Sequence, residues 1–246
     1  MPLGPEDTGA TSGRRVAAAA AEHHLEVVRT ARYWTLGDPS TADQIWFVLH
    51  GYQQLARRFL RRFEAIADGR RLIVAPEGLS RFYVSAEQGR HGSDSVVGAT
   101  WMTREDRQHE IRDYVRYLDR LADVVLGGEG RTRGGDSAIT VLGFSQGVAT
   151  ATRWISQGRL RPDRLLLWGD FVPPDLDLAA AREAFANVDV VLVRGDDDRA
   201  LAPRLAAEER TRLAAAQITH RVVSYPGGHD IHEETLRALA LGGSGG

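Results

Sequence analysis

The residue best suited to covalent chemistry in this chain is a serine at a predicted strand-to-helix junction. Ser145 lies in Gly143-Phe144-Ser145-Gln146-Gly147, directly after the apolar run 138–142. Glycine at both ends of this motif allows strand and helix to approach closely, because a Cβ at either position would clash. A serine presented on so sharp a turn forms a nucleophile elbow. The tail Gly242–Gly246 also fits G-x-S-x-G, but no predicted strand precedes it, so the context favours Ser145.

A serine nucleophile needs a base, and the base needs a group that orients it. Three histidines follow Ser145 in the sequence. His229 follows Pro-Gly-Gly in a predicted loop after the last strand, whereas His220 lies in or beside a strand and His232 begins the final helix. We therefore predict His229 as the base.

Candidates for the orienting acid follow the next-to-last predicted strand, in Gly195-Asp196-Asp197-Asp198. Asp198 is the first choice and Asp196 the second. Asp170, at the end of the preceding strand, is a rival because an acid there can sometimes reach the same histidine. The aspartate run lacks the alternation and distal glutamate of a calcium loop, so no metal or other cofactor is predicted.

An acyl-transfer intermediate also needs two N–H donors for its oxyanion. The backbone N–H of Gln146 is one candidate, since it follows the nucleophile at the start of a helix. The second is the N–H of Tyr52, in the loop Leu49-His50-Gly51-Tyr52 after an earlier strand. His50 is predicted to anchor this loop.

The composition excludes several other chemistries and partners. The 246 residues include no cysteine and no lysine, which removes thiol nucleophiles, Schiff bases and the P-loop lysine. The formal net charge of -2 does not indicate the positively charged surface that nucleic-acid binding requires. No stretch approaches the length of a membrane span, so stable membrane insertion is not expected. The expected location is cytoplasmic and the expected partner is a small molecule.

Short β-branched runs alternate with amphipathic stretches from about Leu25 onward. This order predicts an α/β domain over residues 25–240, with a mostly parallel sheet covered by helices on both faces. Residues 1–24 are predicted to be a disordered leader and residues 241–246 a flexible tail. The predicted strands are Leu25–Trp34, Ile45–Leu49, Leu72–Ala75, Ala138–Phe144, Arg164–Trp168, Val188–Val193 and Thr219–Ser224. The predicted helices are Gln54–Ala67, Glu105–Val125, Ser145–Ser156, Leu178–Ala186, Pro203–Ala215 and Ile231–Leu239.

Large apolar side chains near strand ends are candidates for a substrate pocket. The non-periodic segment Pro76–Ala99 is too long for an idle connection and is a candidate pocket wall. The predicted pocket residues are Phe82, Tyr83, Trp101, Met102 and Phe171.

Taken together, these motifs resemble the phospholipase/carboxylesterase family of α/β-hydrolases, which includes acyl-protein thioesterases and small bacterial carboxylesterases. The matching segments run in order over about residues 44–235. They are Leu49–Gly51, Ala75–Gly78, Gly98–Trp101, Gly143–Gly147, Gly195–Asp198 and Gly227–His229.

The resemblance implies Ser145 as nucleophile, Asp198 as acid and His229 as base, with the Tyr52 and Gln146 amides as the oxyanion hole. It also implies the α/β-hydrolase fold without a large cap domain, and often a homodimer. We therefore predict a serine carboxylesterase that forms an acyl-enzyme. The alternatives are an acyl thioesterase or lysophospholipase with the same triad, or a non-catalytic ligand-binding protein of this fold.

Overall fold

The computed structural model describes residues 20–84, 92–128 and 137–242. Contacts divide the chain into two units, Met1–Thr30 and Ala31–Gly246. Residues 20–30 carry no helix or strand. The rest of the predicted leader, residues 1–19, lies outside the described residues, as do residues 243–246 of the predicted tail.

A seven-stranded sheet forms the centre of the second unit. Its strands are β1 (Tyr33–Leu36), β2 (Gln44–Leu49), β3 (Arg71–Pro76), β6 (Ala138–Phe144), β7 (Arg164–Trp168), β8 (Asp189–Gly195) and β9 (His220–Tyr225). The strand order is β1-β3-β2-β6-β7-β8-β9, and in this sheet β1 runs antiparallel to its neighbour whereas the other pairs are parallel. A separate antiparallel pair consists of β4 (Ser80–Tyr83) and β5 (Val97–Thr100).

Both faces of the large sheet are buried, because side chains alternate between two apolar cores. Along β2, Phe47 packs into one core and Trp46 into the other. The helices are α1 (Ala56–Leu60), α2 (Arg107–Leu126), α3 (Gln146–Gln157), α4 (Pro203–Ala215) and α5 (Glu233–Leu241), with short 3-10 helices at Arg61–Ile66 and Arg182–Phe185. The first core also contains residues of α2 and α3, and the second contains residues of α1 and α5. The predicted mostly parallel sheet with helices on both faces is confirmed.

Several predicted elements differ from the structure. The first strand begins at Tyr33 rather than Leu25, since pairing with β3 starts there. The predicted helix Leu178–Ala186 is reduced to the 3-10 turn Arg182–Phe185. The segment predicted as non-periodic contains β4 and the start of β5. Within the described ranges, no helix is both long enough and apolar enough to cross a membrane.

Candidate active site

The turn between β6 and α3 holds Ser145 in a strained conformation. Its φ is 52° and its ψ is -122°, values that L-residues rarely adopt. A Cβ on Gly143 would lie 2.2 Å from the Gly147 carbonyl oxygen, and one on Gly147 would lie 2.2 Å from the Leu49 carbonyl oxygen. The Ser145 N–H donates to the Trp168 carbonyl at 2.9 Å. The two glycines therefore allow α3 to begin directly against β2, with the serine at the junction.

The structure brings His229 and Asp198 together, although 30 residues separate them in the sequence. The distance from His229 Nδ1 to Asp198 Oδ2 is 2.8 Å. The Asp198 side chain is 1 % exposed and that of His229 is 38 % exposed. Asp198 Oδ1 accepts from the Ala200 N–H at 2.9 Å. A carboxylate that accepts from Nδ1–H leaves the Nε2 lone pair available as a base.

The competing candidates make other contacts. Asp196 is exposed, whereas Asp170 Oδ1 accepts from the Phe171 N–H at 2.8 Å. His220 Nδ1 lies 3.2 Å from the Ile218 carbonyl oxygen. His232 caps α5, where its side chain accepts from the Thr235 N–H. Within the part of the chain that the structure describes, Asp198 is the acid that contacts His229.

His229 is held from two further sides. Its ring lies against Phe144, the residue before Ser145, with ring centroids 5.0 Å apart. On another side is Gly169, whose φ is +76°. A Cβ there would lie 3.3 Å from His229 Cε1. The histidine thus packs between Phe144, which precedes Ser145, and Gly169, which follows the strand beside it.

Two backbone N–H groups near Ser145 are available to an external acceptor. A Cβ on Gly51 would lie 3.1 Å from Ser145 Cβ, so the loop after β2 runs beside the serine. The Gly51 N–H donates to Gln54 Oε1 and the Gln53 N–H to the Ala99 carbonyl. Among the described residues, none accepts a hydrogen bond from the N–H of Tyr52 or of Gln146.

The loop carrying Tyr52 is anchored by a buried, neutral histidine. His50 Nε2 accepts from the Gly78 N–H at 3.0 Å, which places the proton on Nδ1, where it is donated to the Gly51 carbonyl at 2.8 Å. Burial lowers the pKa of His50 to about 4. The predicted anchoring role is confirmed by these contacts.

The predicted pocket residues occupy different places. Tyr52 is half exposed and stacks on Phe82 with centroids 5.4 Å apart, whereas Tyr83 is 49 % exposed. Met102 is partly buried against the core, and its carbonyl accepts from Gln146 Nε2 at 2.9 Å.

Trp101 is a core residue instead of a pocket wall. It is 2 % exposed, and its indole N–H donates to the His50 carbonyl at 2.8 Å. An indole that finds its hydrogen-bond partner inside the protein can be fully buried. Trp101 therefore supports the loop that carries Tyr52 from beneath.

The Phe171 ring lies under the guanidinium of Arg194, a residue that was not predicted to belong to the site. Arg194 Cζ is 4.8 Å from the centre of the Phe171 ring. Arg194 forms a 2.6 Å ion pair with Glu209 on α4, and these side chains are 12 % and 3 % exposed. No local motif signals this pair, because its members come together only when α4 packs beside β8.

No family model matches the chain, and no curated protein sequence matches it. Solved structures do match it, and they share the α/β-hydrolase fold, which is the fold of this chain. Acyl-protein thioesterase 2 from Zea mays aligns with a TM-score of 0.62 and 14 % identity, covering 86 % of this chain and 97 % of that one. Esterase PE8 aligns with a TM-score of 0.59 and 19 % identity, covering 87 % and 97 %. YahD, solved with malic acid, aligns with a TM-score of 0.57 and 15 % identity, covering 86 % and 97 %.

Proposed function

We propose that this protein is a serine hydrolase that cleaves carboxylic esters through an acyl-enzyme. One observation carries the proposal. The buried Asp198 carboxylate accepts from His229 Nδ1 at 2.8 Å, and the His229 ring packs against Phe144, the residue before Ser145, whose φ is 52°. Nucleophile, orienting acid and base also follow one another in the chain order expected of this fold.

In the first half of the reaction, Ser145 Oγ attacks the ester carbonyl carbon while His229 Nε2 takes the hydroxyl proton. The Asp198 carboxylate stabilises the imidazolium that forms. The N–H groups of Tyr52 and Gln146 donate to the oxyanion of the tetrahedral intermediate. The carbon–oxygen bond to the alcohol then breaks, and His229 returns the proton to the leaving alcohol.

In the second half, water replaces the alcohol. His229 Nε2 removes a proton from the water as its oxygen attacks the acyl carbon. Collapse of the second intermediate breaks the bond to Ser145 Oγ, which recovers the proton from His229. The products are a carboxylic acid, an alcohol and the free enzyme.

The structural relatives support a hydrolase of this kind, since they include an esterase and an acyl-protein thioesterase. Thioester or lysophospholipid cleavage uses the same residues and is the second candidate. Comparing kcat/KM for an ester and a thioester with the same acyl chain decides between ester and thioester cleavage. Comparing kcat/KM for a lysophospholipid and for a simple ester of the same fatty acid tests lysophospholipid cleavage.

A fluorophosphonate probe tests the covalent step directly. The wild-type protein is expected to be labelled at Ser145, and Ser145→Ala is expected to abolish both labelling and ester turnover. Ser156→Ala is the matched control, because Ser156 lies on the same helix and its hydroxyl bonds to the Arg153 carbonyl. A folded wild-type protein that is not labelled, yet is stabilised by ligands without turnover, would identify a non-catalytic binding protein.

A further inference from the structure

The segment that follows β7 forms one edge of the candidate active site. The Trp168 carbonyl accepts from the Ser145 N–H at 2.9 Å. Gly169 lies so close to His229 that an added Cβ would be 3.3 Å from Cε1 and 3.4 Å from Nδ1. Asp170 is the next residue in the chain. It therefore directly follows the glycine that packs against the proposed base.

The Asp170 carboxylate has an acceptor oxygen to spare. Its Oδ1 accepts from the Phe171 N–H at 2.8 Å, whereas no donor among the described residues reaches Oδ2. The side chain is partly buried, and burial raises the pKa of the carboxyl group. An accessible carboxylate oxygen that no protein group occupies, at the edge of a candidate active site, is a candidate for binding a group that arrives from outside.

The nearest cation is already engaged. Arg194 Nη1 donates to the backbone carbonyl of Asp170, not to its carboxylate. Its Nη2 donates to Glu209 Oε2 at 2.6 Å, so the guanidinium charge is balanced by a carboxylate that is itself buried. The Arg194 charge acts on the Asp170 carboxyl group, but no cation among the described residues forms an ion pair with it.

The same contacts hold the Asp170 segment in place. Glu209 Oε1 accepts from the Val172 N–H at 2.7 Å. Arg212, one turn further along α4, donates to the carbonyls of Val172 at 3.1 Å and of Pro173 at 2.7 Å. Main chain fixed by three side chains of neighbouring elements gives the Asp170 carboxylate a defined position, which is a requirement for selective binding.

We propose that Asp170 is a specificity-determining residue that accepts a hydrogen bond from a protonated amine on the substrate. The proposal rests on the proposed ester hydrolysis and names its substrate class, esters with a cationic nitrogen close to the scissile bond. The neighbouring turn after β8 adds the exposed carboxylates of Asp196 and Asp197 against the single guanidinium of Arg199. The charge around this edge of the site therefore favours a cation.

The test compares two esters of equal size, one with a primary amine and one with a methyl group in its place. The wild-type protein is expected to prefer the amino ester in kcat/KM. Asp170→Asn keeps an oxygen for the Phe171 N–H but removes the charge. It is expected to reduce the preference by about 10- to 100-fold, the range for a hydrogen bond to a charged group, with kcat/KM for the neutral ester changed less than about 3-fold.

Glu208→Gln is the matched control, since it removes one negative charge from the exposed side of α4, where Glu208 pairs with Arg204. It is expected to leave the preference unchanged. Equal kcat/KM values for the two esters in the wild-type protein would overturn the proposal. So would a preference that survives Asp170→Asn, or one that falls equally in Glu208→Gln.

A binding measurement separates this proposal from the proposed hydrolysis. In the Ser145→Ala protein, calorimetry with the amide analogue of the amino ester is expected to give a Kd about 10-fold or more below that of the methyl analogue. Adding Asp170→Asn is expected to remove this difference. Selective binding without turnover in the wild-type protein would reject only the hydrolysis, and turnover without selectivity would reject only the role of Asp170.

Discussion

Replacing Asp198 by asparagine probes the contact on which the proposed mechanism depends. The carboxylate accepts from His229 Nδ1 at 2.8 Å, and its side chain is 1 % exposed. Asparagine has nearly the same shape, and its oxygen can still accept from the Ala200 N–H, as Asp198 Oδ1 does now. Its NH2 group then faces Nδ1. The imidazole responds by moving its proton to Nε2, the atom that must accept the proton of Ser145.

The expected loss is large because two effects coincide. The wrong tautomer removes the base, and the imidazolium that forms during attack loses its buried counter-charge. In serine hydrolases of this design, the equivalent change lowers kcat by about 10⁴-fold. At 1.36 kcal/mol for each factor of ten, this is about 5 kcal/mol of transition-state stabilisation. The exposed Asp196 offers a matched substitution for which no such loss is expected.

The assay is steady-state hydrolysis of an uncharged ester by the wild-type, Asp198→Asn, Asp196→Asn and Asp170→Asn proteins, with fluorophosphonate labelling as a second readout. Only Asp198→Asn is expected to lose turnover, and its labelling is expected to slow in parallel. A kcat within about tenfold of wild type in Asp198→Asn would refute the assignment of Asp198. A loss confined to Asp170→Asn would transfer the role of the acid to Asp170.

Three further predictions concern the fold around the site. Gly147→Ala is expected to destabilise the protein by about 1–3 kcal/mol in urea unfolding, because its Cβ would lie 2.2 Å from the Leu49 carbonyl oxygen, whereas Gly92→Ala, with nothing within 4 Å, is expected to be neutral. The neutral, buried His50 has a pKa lowered from 6.5 to about 4, so its contribution is complete above pH 6.5 and lost as the pH falls toward 4. Urea titrations at several pH values are expected to show about 3 kcal/mol of acid destabilisation from this group, and less in His50→Gln. Asp170→Asn is expected to raise the Tm at pH 7, since ionisation of a carboxyl with a raised pKa costs stability, and the gain is expected to vanish below the ordinary pKa of 3.8.

The sequence predicts the serine turn well, because both the chemistry and the backbone geometry of this turn restrict which residue types can occupy it. A Cβ at Gly143 or Gly147 would lie 2.2 Å from a backbone oxygen, so both positions require glycine. The serine turn is therefore recognisable as a local sequence pattern. The order of strands after it then limits the base and the acid to a few positions. The pairing of His229 with Asp198 rather than Asp196 depends on which carboxylate is buried, and spacing alone does not reveal burial.

Other parts of the site arise from tertiary packing and leave no local signal. The β4–β5 pair lies in a segment without periodicity, since each strand has only four residues and none of those in β4 is fully buried. No sequence pattern distinguishes Arg194 from the other arginines, because its ion pair with Glu209 forms only when α4 packs beside β8. Trp101 resembles a pocket aromatic from its position, but the His50 carbonyl satisfies its indole N–H inside the core.

Asp198 contacts the proposed base and Asp170 follows the glycine that packs against it, and the different environments of these two carboxylates argue for different roles. Asp198 has a donor on each oxygen, one of them His229 itself, so it is equipped to hold the imidazole in one tautomer. Among the described residues, Asp170 has a donor on one carboxylate oxygen. The Arg194 guanidinium donates instead to Glu209 and to the Asp170 main-chain carbonyl. Two carboxylates in one site can have different functions when their surroundings favour different protonation states or partners. Burial disfavours the ionised form of Asp170 in the free protein. A substrate cation bound to this carboxylate would offset that unfavourable free energy and so contribute to substrate binding.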